Sequence, residues 1–440
     1  MSRKRQAKEK AEEEKHAEES PIEKVETLED KQLRHIAVSF LSMRWLKVEL
    51  ENDDLLSVKS IKISGRKVDE QVVGVLQKTL PLFRQLQRLQ FWQAGLTDGM
   101  VISLTNTMSL SSSLRVVILE GNPLPQQSFH CLLSEGSTLT HLSLRNNRIG
   151  DDCARLIGSA LSTTRSSNKN LMSLCLAFNR IGDAGAAHIA QGLRFNHTLL
   201  FLSLANNWIE ESGAANLAKI LGNFALKHEE VVERRKLLLE RIESGSLSSL
   251  GTDSALPNAD ELLKTPSSTS LNASKGEKKS SKKRASRKEE KSANKEKLRS
   301  SRKASGVKAL QSKSRKTGDK EKLQSEVQSC ASLTEVDSVE SGNPLLDPAL
   351  QHRCGQLFLP GNKTLVSLNL AGNRITEKAL PLFKTALEMQ KEGGLLRLCL
   401  QRNCFSENCE AHVKIQNLLA KRLERRKHAF KTQTEGGVAN

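Results

Sequence analysis

The chain has 440 residues, a formal net charge of +18 and an apolar fraction of only 37%. These values predict a folded core together with a sizeable unstructured part. The opening segment has no apolar core and no run approaches the roughly 18 apolar residues of a membrane span, so we expect a cytoplasmic protein with reduced thiols and no membrane contact.

The first 57 residues divide into two parts. Residues 1–30 are dense in charge and are predicted to form a disordered arm. Residues 31–57 are predicted to cap the segment that follows. The apolar side of this cap would be built from Phe40, Leu41, Trp45, Leu46 and Val48.

A repeated pattern begins at Val58. The template L-x-x-L-x-L-x-x-N-x-L fits eight places, at a period near 28 except for one interval of 166 residues. A unit of this length cannot bury its apolar face alone, so repeats of this kind stack on one another. The eight units begin at Val58, Leu86, Leu114, Leu139, Leu171, Leu199, Leu365 and Leu395.

Each unit has two halves with different periods. Leu142 and Leu144 alternate as in a half-buried strand, whereas Ala187, Ile189 and Leu193 follow helical spacing. Strand and helix in repetition predict an α/β solenoid with a parallel sheet. Because helices are wider than strands, the stack should curve into a horseshoe with the sheet on its concave side.

An asparagine recurs where the chain leaves each strand. A buried amide there must be hydrogen-bonded, so we expect a ladder of asparagines that bind neighbouring backbones. Arg66 and Ala94 replace the asparagine in the first two units. The ladder is predicted to contain Asn122, Asn147, Asn179, Asn207, Asn373 and Asn403.

With its period near 28 and its N-x-I-G-D-x-G-A continuation, this pattern resembles the leucine-rich repeat family, in the ribonuclease-inhibitor-like subtype also found in Ran GTPase-activating protein and tropomodulin. The resemblance covers repeats 1–6 in residues 58–222 and repeats 7–8, with a C-terminal helix, in residues 362–425. It implies a horseshoe fold. Residues 426–440 are predicted to be a disordered tail.

The segment 223–361 interrupts the array. It should begin as a helical extension and continue as a disordered Lys/Arg/Ser-rich insert, in which residues 275–322 contain 20 Lys/Arg and 6 Asp/Glu, a net charge of +14. Three interpretations remain open. The insert is a spacer, it binds acidic polymers such as nucleic acid or tubulin tails, or it carries nuclear-import or kinase motifs with phosphosites at Ser286 and Ser305.

Nothing in the sequence supports catalysis, a cofactor or a metal site. There is no Walker-type glycine loop, catalytic triad or H-E-x-x-H motif. Asp151, Asp152 and Asp183 are best explained as helix-start residues. In the last unit, core or turn packing explains the cysteines better than metal binding. These are Cys399, Cys404 and Cys409.

Outward-facing positions of the strands should line the concave face, where solenoids usually bind partners. Aromatic side chains with an arginine are typical of interface anchors. We predict that a peptide or helix fills a groove around Phe178 and Phe201; alternatively, these rings cover each other or the returning segment 343–361. The candidate contacts are Trp92, His141, Arg145, Met172, Phe178, Phe201 and Trp208.

The sequence therefore predicts a non-enzymatic interaction scaffold that binds a protein partner and works as a monomer within an assembly, with the cilium or flagellar axoneme as a candidate location. Two alternatives remain. One is a GTPase activator of the Ran type, for which Arg66 or Arg145 could supply the arginine. The other is an adaptor that binds polyanions through its basic insert.

Overall fold

The structure is a computed structural model that describes residues 28–109, 111, 113–162, 168–243, 343–390 and 393–435. The predicted N-terminal arm up to residue 27 and the basic insert, with residues 275–322, Ser286 and Ser305, lie outside these ranges.

Alternating leucines give each repeat one short strand, and the strands join in a nine-stranded sheet. Eight of its strands are parallel and correspond to the eight predicted units. The strands in order across this sheet are β1 (Leu46–Leu50), β2 (Val58–Ser64), β3 (Arg88–Trp92), β4 (Val116–Glu120), β5 (His141–Ser143), β6 (Ser173–Cys175), β7 (Phe201–Ser203), β11 (Ser367–Asn369) and β12 (Arg397–Cys399).

Helices pack against one face of the sheet and share a continuous apolar core with it. The predicted α/β fold of strand–helix repeats is thus confirmed. The helices are α1 (Leu28–Leu41), α2 (Glu70–Thr79), α3 (Asp98–Met108), α4 (Asp151–Leu161), α5 (Asp183–Leu193), α6 (Glu211–Lys219), α7 (His228–Glu243), α8 (Leu380–Met389) and α9 (Glu410–Glu435). Short 3-10 helices cover Leu80–Leu82, Ser128–Leu133, Pro344–Leu346 and Glu377–Ala379.

The third repeat departs from the predicted strand–helix unit. It carries the 3-10 helix Ser128–Leu133 where other repeats have an α-helix. This repeat spans 25 residues rather than 28 and contains Pro123 and Pro125. Proline fixes φ and removes a backbone donor, so less chain is left for helical turns.

The sheet continues directly across the long interruption. β7 pairs in parallel with β11, with Leu202 opposite Leu368. Both leucines are fully buried. The sixth and seventh repeats are therefore neighbours in space despite their separation along the chain, consistent with the slow growth of loop-closure entropy with length.

The recurring asparagines link the repeats at the point where the chain turns away from the strand. The side chain of Asn179 accepts from the backbone N–H groups of Asn147 (2.8 Å) and Ile149 (3.1 Å). It donates to the carbonyls of Leu144 (3.0 Å) and Leu176 (2.9 Å). One amide thus satisfies backbone groups of two repeats, none of which has a strand partner.

The same pattern spans the interruption and reaches both ends of the ladder. Asn207 donates its N–H to Oδ1 of Asn373 at 3.2 Å, and Asn403 accepts from Ile375 at 3.1 Å. Asn122 accepts from the N–H of Ala94 at 2.8 Å, so it serves a repeat that has no asparagine of its own.

The described ends of the interruption, residues 224–243 and 343–361, are folded together. Residues 343–361 were predicted to be disordered, and the structure corrects that prediction for them alone. β8 (Phe224–Ala225), β10 (Gln356–Leu359) and β9 (Gln351–Arg353) form a three-stranded antiparallel sheet in that order. Its small core contains Phe195, Leu226, Leu345 and Leu359. We call residues 224–243 and 343–359 the stem.

A buried ion pair fixes the stem to the repeats. Arg194, at the end of α5, binds Glu230 of α7 through two hydrogen bonds of 2.7 and 3.0 Å. The two side chains are only 8% and 14% exposed, and the guanidinium also lies against the rings of Phe195 and Phe224. A bidentate, stacked arginine is well suited to a partly buried pair.

Two predicted boundaries at the ends are corrected. α1 begins at Leu28, inside the predicted arm, and packs through Ala37 and Phe40. α9 continues to Glu435, so residues 426–435 are helical rather than a disordered tail. Before that extension, Arg422 donates to the carbonyl of Leu395 at 3.1 Å, which holds the helix against the last repeat.

Candidate functional site

The open face of the sheet, away from the helices, is formed by side chains in rows across the strands. His141, Ser173, Phe201, Ser367 and Arg397 occupy one row in register. Phe201 and His141 are half-buried. The structure thus brings two of the predicted contact residues into one row, with the small Ser173 between them.

Hydrogen bonds hold the ionisable side chains Glu120 and His141 on this face. Ser143 donates to Oε1 of Glu120 at 2.9 Å, and His141 shares a 2.8 Å hydrogen bond with Thr140. Burial, and secondarily the charge of Arg88, lowers the pKa of His141 below its usual value. Burial likewise raises the pKa of Cys175, so this thiol is a poor nucleophile.

The residue just before each ladder position has a left-handed backbone. This conformation suits glycine and asparagine and is unusual for a bulky side chain. Phe178, at φ 60°, is the aromatic residue among the equivalent positions, and Gln93 and Arg402 also carry long side chains there. The eight equivalent residues are Gly65, Gln93, Gly121, Asn146, Phe178, Asn206, Gly372 and Arg402.

This geometry corrects the predicted groove around Phe178 and Phe201. Phe178 lies beyond the end of β6, in the turn, and not on the strand face that carries Phe201. The strand ends at Cys175 because the chain then turns toward the buried Asn179. The returning segment packs against Phe195 and Leu226 instead.

Phe178 pairs with an arginine of the preceding repeat. The guanidinium carbon of Arg145 lies 3.9 Å from the centre of the Phe178 ring. The phenylalanine remains 42% exposed. Cation–π contact of this kind holds the guanidinium over one ring face.

A second pair follows one repeat further on. The guanidinium carbon of Arg180 lies 5.8 Å from the ring centre of Trp208, which is 49% exposed. Arg180 is not among the contacts predicted from the sequence. A usable signal was the residue between the ladder asparagine and the following isoleucine, which is Arg148, Arg180, Trp208 and Arg374 in successive repeats.

The other predicted contacts are more dispersed. Trp92 is 40% exposed at the end of β3, where it is in register with Glu120. Met172 is half-buried just before β6. Arg66, one of the arginines considered for GTPase activation, lies over the ring of Trp45 at 5.1 Å.

The helix-start aspartates act across repeats. Oδ1 of Asp151 accepts from the N–H groups of Gly182 and Gly185, at 2.7 and 3.0 Å. Gly182 is the N-cap of α5 and has no side chain to cap that helix. Asp183 accepts from Glu210 at 2.7 Å in the same way. These carboxylates therefore have a structural function that extends beyond their own helices.

In the part of the chain that the structure describes, no three His, Cys, Asp or Glu side chains are grouped so that they could hold a metal ion. That search includes Cys399, Cys404 and Cys409, which are free thiols. None of the described helices is both long and apolar enough to span a bilayer.

Four segments of the chain are similar to a known family of repeats. Residues 137–158, 167–190, 195–218 and 361–380 match the family described as Leucine Rich repeat. NACHT, LRR and PYD domains-containing protein 3 of Bos taurus is 29% identical over 160 residues, which are 34% of this chain and 15% of that protein. The chain thus spans only a small part of this relative.

Two solved structures show distant similarity. Leiomodin-1 Actin-Binding Site 2 is 18% identical, with a TM-score of 0.22, over 36% of this chain and 74% of that one. An internalin (inlF) from Listeria monocytogenes is 12% identical, with a TM-score of 0.32, over 82% of this chain and 66% of that one.

Proposed function

We propose that this leucine-rich repeat protein is a non-enzymatic scaffold that binds a protein partner on the open face of its sheet and along the adjoining turns. The single observation that carries the proposal is the exposed aromatic pair Phe178 and Trp208, each stacked with an arginine. Aromatic and arginine side chains contribute most of the binding energy at protein interfaces.

The surface is also rigid. The N–H of Phe178 donates to the carbonyl of Ala205 at 2.8 Å, and that of Trp208 donates to Ile181 at 2.9 Å. Each turn is therefore fastened to its neighbour before a partner arrives. Binding then costs little ordering of the scaffold, which favours affinity.

Capture of partners by the purified full chain tests the proposal. The double variant Phe178→Ala plus Trp208→Ala should lose specific partners that the wild type retains. Val232→Ala plus Leu239→Ala is the matched control, because these exposed apolar side chains lie on α7. Identical sets of partners for all three proteins would sink the proposal.

We further propose that the basic segment 275–322 adds electrostatic attraction to acidic surfaces, with tubulin tails in cilia as a candidate. Its net charge of +14 supports this proposal. Proximity labelling in ciliated cells should mark axonemal proteins. Labelling confined to nuclear proteins would contradict the ciliary location.

The repeat subtype also remains a proposal. The α-helices that follow most strands, together with the period near 28, support a ribonuclease-inhibitor-like array. GTPase activation of the Ran type has no comparable support, because both arginines considered for it, Arg66 and Arg145, are stacked on rings. A GTP-hydrolysis assay with and without the protein should show no acceleration.

A further inference from the structure

We propose that the turns after β5, β6 and β7 bind an acidic, extended segment of the partner protein through two arginine–aromatic pairs. The inference rests on the proposed function and specifies the chemistry of its partner. We call Arg145, Phe178, Arg180 and Trp208 the arginine–aromatic edge. Arg145, Phe178 and Trp208 are among the contacts predicted from sequence, whereas Arg180 and the pairing of each arginine with a ring come from the structure.

Both pairs join successive repeats, but at different positions of the turn. Arg145 and Phe178 precede their ladder asparagines, whereas Arg180 and Trp208 directly follow theirs. In each pair, an arginine from one repeat lies over an aromatic ring from the next. Parallel pairing of β5, β6 and β7 fixes these repeats side by side, at the roughly 4.8 Å spacing of neighbouring strands. The edge therefore presents two cationic groups on adjacent repeats, each held by contact with a ring of the next repeat.

Stacking prepares these arginines for carboxylates. A guanidinium held over a ring has five N–H donors, and those that do not face the ring remain open to a ligand. Within the described residues, neither Arg145 nor Arg180 forms an ion pair or donates a side-chain hydrogen bond. Each can therefore bind one carboxylate through two parallel hydrogen bonds.

The aromatic members indicate apolar contact beside the carboxylates. Phe178 and Trp208 remain 42% and 49% exposed after their arginines are stacked. Phe178 also occupies a left-handed backbone position that the neighbouring repeats fill with Asn146 and Asn206. Folding alone would favour asparagine there, so the ring is placed at an energetic disadvantage where it can contact a ligand.

The charges that flank the edge are of both signs, since Arg148 and Arg374 lie in the same series of turns as Glu120 and Glu210, and such a mixture suits a protein segment better than a nucleic acid. Glu120 precedes Arg145 at the equivalent position of the third repeat, and Glu210 lies beyond Trp208, where it pairs with Arg374 at 3.4 Å. A nucleic acid carries a phosphate at every nucleotide and would bring charge against both glutamates. A peptide can place carboxylates at the two arginines and uncharged residues at the flanks.

Fluorescence anisotropy with the full chain tests the inference. The probe is a labelled 12-residue peptide that repeats Glu-Leu-Glu-Ser three times. Wild type should bind it, and Arg145→Gln plus Arg180→Gln should weaken binding by about tenfold or more, since charge-assisted hydrogen bonds are lost. The basic insert is present in both proteins and cannot account for the difference.

Three comparisons make the outcome decisive. Arg155→Gln plus Arg235→Gln, two exposed arginines on α4 and α7, is the charge-matched control and should bind as wild type does. A labelled 12-mer of uridine should bind the double arginine variant and the wild type equally; a loss equal to that of the peptide would overturn the assignment to protein. Unchanged thermal unfolding confirms that the variants are folded.

The outcomes also separate this inference from the proposed function. If the arginine variant binds the acidic peptide as wild type does, the edge is not an acidic-segment site. The scaffold proposal would still stand if Phe178→Ala plus Trp208→Ala loses captured partners. If neither the capture nor the peptide experiment responds, both proposals fail.

Discussion

The left-handed position before the ladder asparagine serves the fold in some repeats and provides a surface side chain in another. Asn146 and Asn206 fill it at little conformational cost, and Gly121 and Gly372 do so with no Cβ at all. Phe178 has neither advantage. Its backbone strain is offset by the stack around it, and its side chain is left on the surface next to Arg145.

Replacement of Phe178 by asparagine should cost less stability than the same replacement of Phe201. Phe178 is exposed and Phe201 is half-buried, and Phe201 is in the extended strand β7, where asparagine relieves no strain. We expect the two costs to differ by about 1 kcal/mol. Chemical denaturation of both variants measures this difference, and equal costs would show that Phe178 is not strained.

The ladder residue Asn179 should be far more sensitive to substitution than its neighbour. Asn179→Ala leaves buried backbone groups of two repeats without partners. A loss of about 3–5 kcal/mol is expected, since each unpaired buried group costs about 1–3 kcal/mol. Arg180→Ala, at an exposed position, is the control and should change the free energy of unfolding by under about 1 kcal/mol.

At the scale of elements, the helices pack closely enough that glycine is required at some positions and not at others. A Cβ on Gly192 in α5 would lie 2.1 Å from the carbonyl oxygen of Gly158 in α4. In contrast, a Cβ on Gly74 in α2 would meet no atom within 4 Å. Helix propensity alone favours alanine at both positions.

Replacement of these two glycines by alanine should therefore change the free energy of unfolding in opposite directions. Gly74→Ala should stabilise the protein by about 0.5–1 kcal/mol, because glycine in a helix interior is entropically costly. Gly192→Ala should destabilise it by about 1–3 kcal/mol through overpacking between α4 and α5. Thermal unfolding of the two variants tests both values, and stabilisation by Gly192→Ala would contradict the close helix contact.

At the scale of the whole molecule, two sets of contacts hold the array together across the interruption. β7 pairs with β11 in the main sheet, and β8 pairs with β10 in the stem. Asn207 and Asn373 add a backbone link at the ladder. In a stacked array, interfaces between neighbours supply much of the stability, so the covalent connection through the insert should matter little to the folded state.

Cleavage at a specific protease site introduced near residue 290 should leave the two fragments associated. They should co-elute in gel filtration and unfold in one transition, since the β7–β11 and stem contacts remain. Leu368→Asp places a charge in the buried face of β11 and should release the C-terminal fragment after cleavage. Separation of the fragments without that substitution would contradict the continuous array.

The parts of the fold that were predicted correctly are those that follow from periodic local patterns. Alternation in Leu142 and Leu144 gave a strand, and the spacing of Ile189 and Leu193 gave a helix, because each depends on residues a few positions apart. The boundaries of the elements were predicted less accurately. α9 continues to Glu435, beyond the last repeat, and residues 343–361 fold because the two ends of the stem meet.

The sequence by itself determined the number of repeats, their parallel strands and their helices, since these follow from hydrophobic period and unit length. Only the tertiary structure decided which side chains meet. Arg145 reaches Phe178, and Asp151 caps the helix that starts after Gly182, because stacking sets the register between repeats. Contacts of that kind depend on the three-dimensional spacing of neighbouring units, which no local pattern in the chain specifies.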